Sequence, residues 1–359
     1  MLYRRLGRTG FQASVVGFGG IPIMRRPRPD AVEILRRALE LGVNYIDTAR
    51  NYRDSEDKVG EAVRGWRDRV FITTKSHFKT KAEVAESIDE SLRRFALDWV
   101  DAVLMHGVDS DEDLESRSQG PLEAIKGARA AGKVRYIGLS GHRNAVLCRA
   151  LRTGAFDLVL ASYNLTNDDA DRELFPLAQE LDVGITVMKP IGGGALGVPP
   201  EALQFHVEDK AVSTAEAALR FALSNSSVAS VCVGMGRLSE VEANVALGAI
   251  PQAMPRAEYG ALSERAKTLG FTFCQGCGYC LPNCPEKINI QEVFRLLAFH
   301  DQYGMTGYAK AVFRAWHEQA AAKCTECSAC TERCPASLGI PELLREARLK
   351  LGAKDQEYD

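Results

Sequence analysis

Between residues 15 and 250, short apolar runs alternate with amphipathic stretches eight times. The runs are VVGFG (15–19), VNYID (43–47), VFITT (70–74), VDAVLM (100–105), VRYIGL (134–139), FDLVLA (156–161), GITVM (184–188) and VASVCVG (228–234). They are rich in β-branched residues and nearly continuous, as strands buried on both faces must be. The stretches between them carry apolar positions at helical spacing. In DAVEILRRALELG, Asp30 is placed to cap with Glu33 and Gly42 to end the helix. Eight strand–helix units predict an α/β chain whose parallel sheet closes on itself, a (β/α)8 TIM barrel. An open doubly wound sheet is the alternative, but it rarely needs eight units. The first fourteen residues read as a hairpin plugging the barrel floor.

The tail obeys a different rule. CQGCGYCLPNCP (274–285) and CTECSACTERCP (324–335) are both Cys-x2-Cys-x2-Cys-x3-Cys-Pro, an iron–sulfur ligand pattern. Two-residue gaps let three thiolates converge from one loop, and the fourth cysteine of such a run serves the other cluster. Cys274, Cys277, Cys280 and Cys334 are therefore expected on one 4Fe-4S cluster, and Cys324, Cys327, Cys330 and Cys284 on a second. Two structural zinc sites are the plainer alternative, disfavoured by the following prolines and the three-plus-one arrangement. After Cys284 comes PEKINIQEVFR and after Cys334 comes PASLGIPELLR, each with Ile, Glu and Arg six, eight and eleven residues beyond the cysteine. Each run thus leads into a similar helix. A small, mainly α-helical iron–sulfur domain is expected over 256–359, after a barrel over 1–255, with AIPQAMPR (249–256) at the boundary. Cys148 and Cys232 fall in helix and strand patterns and read as inert core residues.

Composition limits the setting. A hydrophobic fraction of 46% in 359 residues supports a large core, and a net charge of −2 gives no reason to expect nucleic acid or an anionic membrane as partner. The start, MLYRRLGRTG, lacks a signal-peptide core, and no apolar run nears the ~20 residues of a membrane helix. A cytoplasmic protein is expected. Two long segments, the acidic GVDSDEDLESRSQG (107–120) and the Gly- and Pro-rich 189–213, read as loops overhanging the C-terminal face.

Chemistry in a barrel belongs at that face. The strand ends supply Asp47 and, five residues on, Tyr52 from NYIDTARNY, then Lys75 from FITTKS and His106 from VLMHGVD. Singly, each has a bland reading: a helix cap, a solvated charge, a semi-buried ring. Together they form a proton-transfer set. A phenol titrates near ~10, too high for easy exchange at neutrality. A neighbouring ammonium is expected to lower that value, with a carboxylate fixing the lysine and an imidazole orienting a carbonyl oxygen.

At this point the chain resembles the aldo/keto reductase superfamily. YRRLGRTGFQASVVGFGG, NYIDTARNY and the order Asp, Tyr, Lys, His all match, and with its tail the whole chain resembles the branch carrying a C-terminal iron–sulfur module. The resemblance implies an NADP(H)-using barrel acting on a small carbonyl or alcohol. Tyr52 is then the general acid, Lys75 and Asp47 its tuners, and His106 the group that orients the carbonyl. It further implies cofactor contacts from Gly19, Gly20, Ser140, Met188, Lys189, Gly234, Arg237 and Asn244. Three cradle positions depart from the family: Gly141 stands where Asn follows Ser, Leu160 where a Gln is usual, and Met188 where an aromatic stacks. Nicotinamide moves two electrons and a cluster one, with no Gly-rich flavin fingerprint to convert between them, although a flavin bound without a motif would serve. The other readings are an electron-transfer protein with a docking-scaffold barrel and a redox partner, or clusters that only pin the tail.

Overall fold

The computed structural model describes residues 1–165, 167–192, 205–207, 210–250, 260, 274, 280–301, 306–334 and 338–352. The chain divides into two compact units, Met1–Pro190 with Phe205–Ser263 and Ile191–Gln204 with Glu264–Asp359.

The first unit opens with β1 (Tyr3–Arg5) and β2 (Gln12–Ser14), an antiparallel pair. Then come β3 (Val16–Gly19), α1 (Arg28–Glu40), β4 (Tyr45–Asp47), α2 (Ser55–Ala62), β5 (Phe71–Ser76), α3 (Lys81–Phe95), β6 (Val100–Met105), α4 (Asp111–Ala130) and β7 (Val134–Gly141). It continues with α5 (Asn144–Arg152), β8 (Leu158–Ser162), α6 (Leu174–Glu180), β9 (Gly184–Met188), a hairpin of β10 (Phe205–Val207) and β11 (Lys210–Val212), α7 (Thr214–Ser224), β12 (Ser230–Gly234) and α8 (Leu238–Leu247). Eight of the strands close a parallel barrel in the order β12-β3-β4-β5-β6-β7-β8-β9.

The β1–β2 hairpin plugs the floor. Leu6 and Ala13 are fully buried and join Tyr45, Phe71, Leu104, Leu158, Leu160 and Cys232 in the barrel interior. Phe11 meets the Phe71 ring at 5.2 Å, and Phe71 stacks on Tyr45 at 5.7 Å and on Tyr136 at 5.8 Å. Because side chains alternate along a strand, the same inward faces continue upward to Asp47, Lys75, Ser140 and Ser162 at the opposite end. An aromatic floor therefore supports a polar mouth.

Two expectations change. α1 begins at Arg28 after Pro27, so Asp30 lies in its first turn and caps nothing, while Gly42 does end it at φ 96°. Residues 107–120 are no long loop: α4 starts at Asp111, with the Ser110 side chain accepting from the Asp113 N–H at 3.1 Å. Asp111, Glu112 and Asp113 in the first turn oppose the positive end of the helix dipole, so the acidic run is a helix start. Of the second segment, most of 193–213 lies outside the described residues.

In the second unit, helices Ile290–Asp301 and Ile340–Gly352 each begin at the repeated Ile. Both isoleucines are buried in one core with Val293, Phe294, Leu297, Phe313, Leu344 and Leu351. The duplication in sequence is thus a duplication of helix starts.

Candidate active site

Asp47 closes β4 and Lys75 lies in β5 beside it, both buried at 5% and 2% exposure. Lys75 Nζ donates to Asp47 Oδ2 and to the Thr48 oxygen, each at 2.7 Å. Thr73 Oγ1 donates to the other carboxylate oxygen at 2.9 Å, so both oxygens have donors. Burial works against the ammonium, but Asp47, together with Tyr52 and Cys232, outweighs it and Lys75 is held above its ordinary pKa, hence charged.

Tyr52 comes from the turn before α2, where its N–H donates to the Ala49 oxygen at 3.0 Å and its oxygen accepts from Ser55 at 2.9 Å. Lys75 Nζ lies 5.1 Å from the Tyr52 ring centre. The His106 ring stands edge-on to Tyr52, with centres 5.9 Å apart and planes at 81°. The four groups chosen from the sequence do come together. Their electrostatics differ from expectation on one count: the Tyr52 pKa is raised. Burial of the phenol dominates, Asp47 and the buried Cys232 add to it, and the pull of Lys75 is insufficient. The phenol is therefore protonated at neutral pH.

His106 follows β6 and is pinned through its backbone. Its N–H donates to the Ser76 oxygen at 2.9 Å. Its oxygen accepts from Arg117 Nη1 at 2.9 Å, while Arg117 Nη2 donates to the Ser76 oxygen, also at 2.9 Å. The Arg117 guanidinium is buried and also meets Asp113, one helical turn earlier on α4, at 3.2 Å. His106 Nδ1 is buried without a hydrogen-bond partner. Burial, then Lys75 and the neighbouring cations, holds the ring well below its ordinary pKa of 6.5, so it is neutral. Arg117 is hidden in the sequence because the acidic run around it reads as loop. The Asp113-to-Arg117 spacing of four was the available signal.

A family model for the aldo/keto reductase family matches residues 15–263, which include all four groups. The chain belongs to the aldo/keto reductase family. It is 31% identical over 277 residues to L-galactose dehydrogenase of Arabidopsis thaliana, spanning 68% of this chain and 86% of that protein. It is 25% identical over 308 residues to L-glyceraldehyde 3-phosphate reductase of Escherichia coli K12, spanning 68% and 87%. Among solved structures, the holo form of an aldo-keto reductase from Bacillus halodurans superposes with a TM-score of 0.63 at 26% identity, over 74% of this chain and 96% of that one. A second model, for a 4Fe-4S dicluster domain, matches residues 273–338. The protein is an oxidoreductase of the aldo/keto reductase family with a 4Fe-4S dicluster domain after its barrel.

Around this aldo/keto reductase site the cradle positions divide. Gly19 and Gly234 face each other across β3 and β12. A Cβ at Gly20 would fall 2.8 Å from Ser55 Oγ, so packing against the Tyr52 turn accounts for that glycine. Ser140 Oγ accepts from the Gly107 N–H at 3.1 Å. A Cβ at Gly141 would fall 2.5 Å from the Val108 oxygen, which explains why no Asn stands there. Leu160 is buried in the barrel interior, and Met188 packs against the same cluster. Lys189 has a left-handed backbone at φ 57°, and its oxygen accepts from Asn164 Nδ2 at 3.1 Å. Arg237 is exposed just before α8, and Asn244 is half-buried within it. Sequence reasoning missed Ser162, two residues beyond Leu160 on the same face, whose buried Oγ has no partner.

In the tail, Cys284, Cys324, Cys327 and Cys330 line one cavity with Ile288, Ile290 and Leu344. Ile288 N–H points at Cys284 Sγ, 3.4 Å away. Glu326 and Ser328 flank Cys327 in left-handed conformations, which wrap the loop around that cavity. Cys274, Cys280 and Cys334 pack on the hydrophobic core of the same unit, and Cys277 lies outside the described residues. Cys148 and Cys232 are free and buried in α5 and β12.

Proposed function

We propose that the barrel interconverts a small carbonyl compound and its alcohol with NADP(H), and that the tail carries two 4Fe-4S clusters. The reading is carried by the buried Lys75–Asp47 pair, with Lys75 Nζ 5.1 Å from the Tyr52 ring centre and His106 edge-on to the same ring. NADPH, when bound, supplies hydride to the carbonyl carbon. In that direction Tyr52 gives its phenolic proton to the carbonyl oxygen, and Lys75 stabilises the phenolate that remains. Asp47 keeps Lys75 charged and in place. His106, neutral, retains an N–H donor for the same oxygen. The reverse direction returns the proton along the same path.

The mouth fits a polar ligand, because Ser162 Oγ and His106 Nδ1 are buried there without partners. Gly19, Gly20, Ser140, Met188, Lys189, Gly234, Arg237 and Asn244 are the proposed NADP(H) contacts, with Ser162 taking over from the Gln that Leu160 replaces. Two relatives named for L-galactose and L-glyceraldehyde 3-phosphate support a small, oxygen-rich substrate. For the clusters, Cys284 joining Cys324, Cys327 and Cys330 around one cavity supports the exchanged-cysteine ligand set. Cys274, Cys277, Cys280 and Cys334 make the second set.

The test is NADPH oxidation at 340 nm by anaerobically purified protein with short aldehydes. Absence of both NADPH binding and turnover sinks the nicotinamide reading. A second reading, in which a redox partner loads the clusters and they feed electrons to the barrel, is favoured by the apolar Leu160 in the cradle. Product formed by chemically reduced clusters without nicotinamide supports it.

A further inference from the structure

Tyr52 stands in the turn between β4 and α2, and the path of that turn decides where its phenol points. Asn51, Arg53 and Asp54 are exposed, so burial does little to hold this stretch. Its two ends are pinned by hydrogen bonds instead. At one end the Arg50 N–H donates to the Lys75 oxygen at 3.0 Å, and Arg50 Nη1 donates to Oε2 of the buried Glu56 at 3.1 Å. Oε1 of Glu56 accepts from Thr74 Oγ1 at 2.7 Å, which anchors that carboxylate to β5. At the other end the buried Lys58 of α2 donates to Asp54 Oδ1 at 2.8 Å and to the Ile23 and Arg26 oxygens, each at 2.9 Å.

Between these pins, directly after Tyr52, Arg53 has a left-handed backbone at φ 47°. Residues with a Cβ adopt that conformation rarely, because the Cβ crowds the following carbonyl oxygen. A contact from outside the turn offsets this. The Arg53 oxygen accepts from Arg94 Nη1 at 2.6 Å. Arg94 lies in the last turn of α3, and Oε1 of Glu90, one turn earlier, accepts from its Nε at 3.0 Å. The same Glu90 oxygen accepts from Arg50 Nη2 at 3.4 Å. One carboxylate of α3 therefore reaches the chain on both sides of Tyr52. The end of α3 is seated directly on α2, since a Cβ at Gly60 would fall 2.1 Å from the Phe95 oxygen.

We infer that Arg94, oriented by Glu90, is a positioning residue: by holding the Arg53 oxygen it sets the Tyr52 phenol against Lys75 and His106. A displacement of ~1 Å in a reacting group costs up to about 10²-fold in rate. The inference rests on the carbonyl reduction proposed above and adds a residue that acts through its proton donor.

The experiment uses the full chain with its clusters, NADPH and glyceraldehyde. Arg94→Met keeps an aliphatic stem and removes the donor. Its kcat should fall at least about tenfold, while KM and the NADPH dissociation constant from fluorescence titration stay within about threefold. Arg94→Lys restores a single donor and should recover part of the loss. Arg93→Met is the control, because Arg93 also pairs with Glu90 yet its side chain is 72% exposed. It should stay within about twofold of wild type. A wild-type kcat in Arg94→Met overturns the inference. So does an equal fall in Arg93→Met, which would make the effect one of surface charge. A second readout needs no turnover. In protein labelled with carbon-13 tyrosine, the Tyr52 ring resonance, identified by its absence in Tyr52→Phe, should shift or broaden in Arg94→Met and stay in place in Arg93→Met. A resonance unmoved by Arg94→Met overturns the inference. If wild type reduces no aldehyde, the reduction reading falls and this resonance alone decides whether Arg94 positions Tyr52.

Discussion

Arg117 Nη1 donates to the backbone oxygen of His106 at 2.9 Å, and Nη2 of the same buried guanidinium donates to that of Ser76 at 2.9 Å. One side chain from α4 thus ties together the ends of β5 and β6, the strands that carry Lys75 and lead to His106. Arg117→Lys replaces the fork by a single ammonium that cannot hold both carbonyls as the guanidinium does. Turnover should fall at least about tenfold with a smaller change in KM, since small misplacements of positioned groups are costly. Far-ultraviolet circular dichroism should be unchanged. A variant with the kcat and pH profile of wild type would show that the clamp supports only the fold.

Removing the phenol tests the proton donor directly. Tyr52→Phe keeps the ring packed between Lys75 and His106 and should cut carbonyl reduction by about 10²–10⁴ while sparing NADPH binding. Lys75→Met acts differently, because Asp47 loses its cation in a buried site; a stability loss of about 3–5 kcal/mol is expected on top of lost turnover. Full activity in Tyr52→Phe places the chemistry elsewhere.

Two half-buried, neutral histidines make the fold sensitive to acid. His106 and His142 both have folded pKa values below 6.5, so the unfolded chain binds protons there more readily. Their effect is absent above about pH 6.5 and destabilises as pH falls below it, by up to about 1.4 kcal/mol per pH unit for each ring. Urea unfolding at pH 7.5 and 5.5 should therefore show a smaller drop for His106→Asn than for wild type. Identical drops would count against a neutral ring.

Restoring the family's residue beside Ser140 should harm this protein. In Gly141→Asn the new Cβ falls 2.5 Å from the Val108 oxygen and 3.1 Å from Asp109 Oδ1. The 107–109 loop must move, breaking the Asp109–His142 contacts. A stability loss of about 1–3 kcal/mol is expected, as for other overpacked sites. A rise in melting temperature would refute the packing argument.

Iron content tests the tail. Two complete ligand sets imply about eight irons and eight sulfides per chain. Cys284→Ser removes a thiol from the cavity lined by Cys324, Cys327 and Cys330, so the damaged cluster should be theirs, seen as an altered electron-spin signal with the other retained. About two zincs and no iron in anaerobic protein would exclude both clusters.

The barrel was legible in the sequence because continuous β-branched runs and helical spacing are local properties, set by which faces of each segment must avoid water. The duplicated cysteine runs were legible for a similar reason: short fixed gaps bring thiols together within one loop, and the helices after them start at the repeated isoleucines 290 and 340. Asp47, Tyr52, Lys75 and His106 could be picked because strand ends fix which side chains reach the mouth. Burial and long-range contact were not legible. Whether the Tyr52 pKa rises or falls depends on summing desolvation against Lys75, Asp47 and Cys232, which the chain brings together from positions up to 232. Arg117 became a clamp only once α4 packed back on the strand ends. Gly141 reads as a missing Asn in the sequence, but the Val108 oxygen occupies the space a side chain would need, and His142 meets its carboxylate partner Asp109, 33 residues earlier, only in the fold. Electrostatics and steric exclusion fall off within a few ångströms in space, so they are decided by neighbours that sequence order does not name.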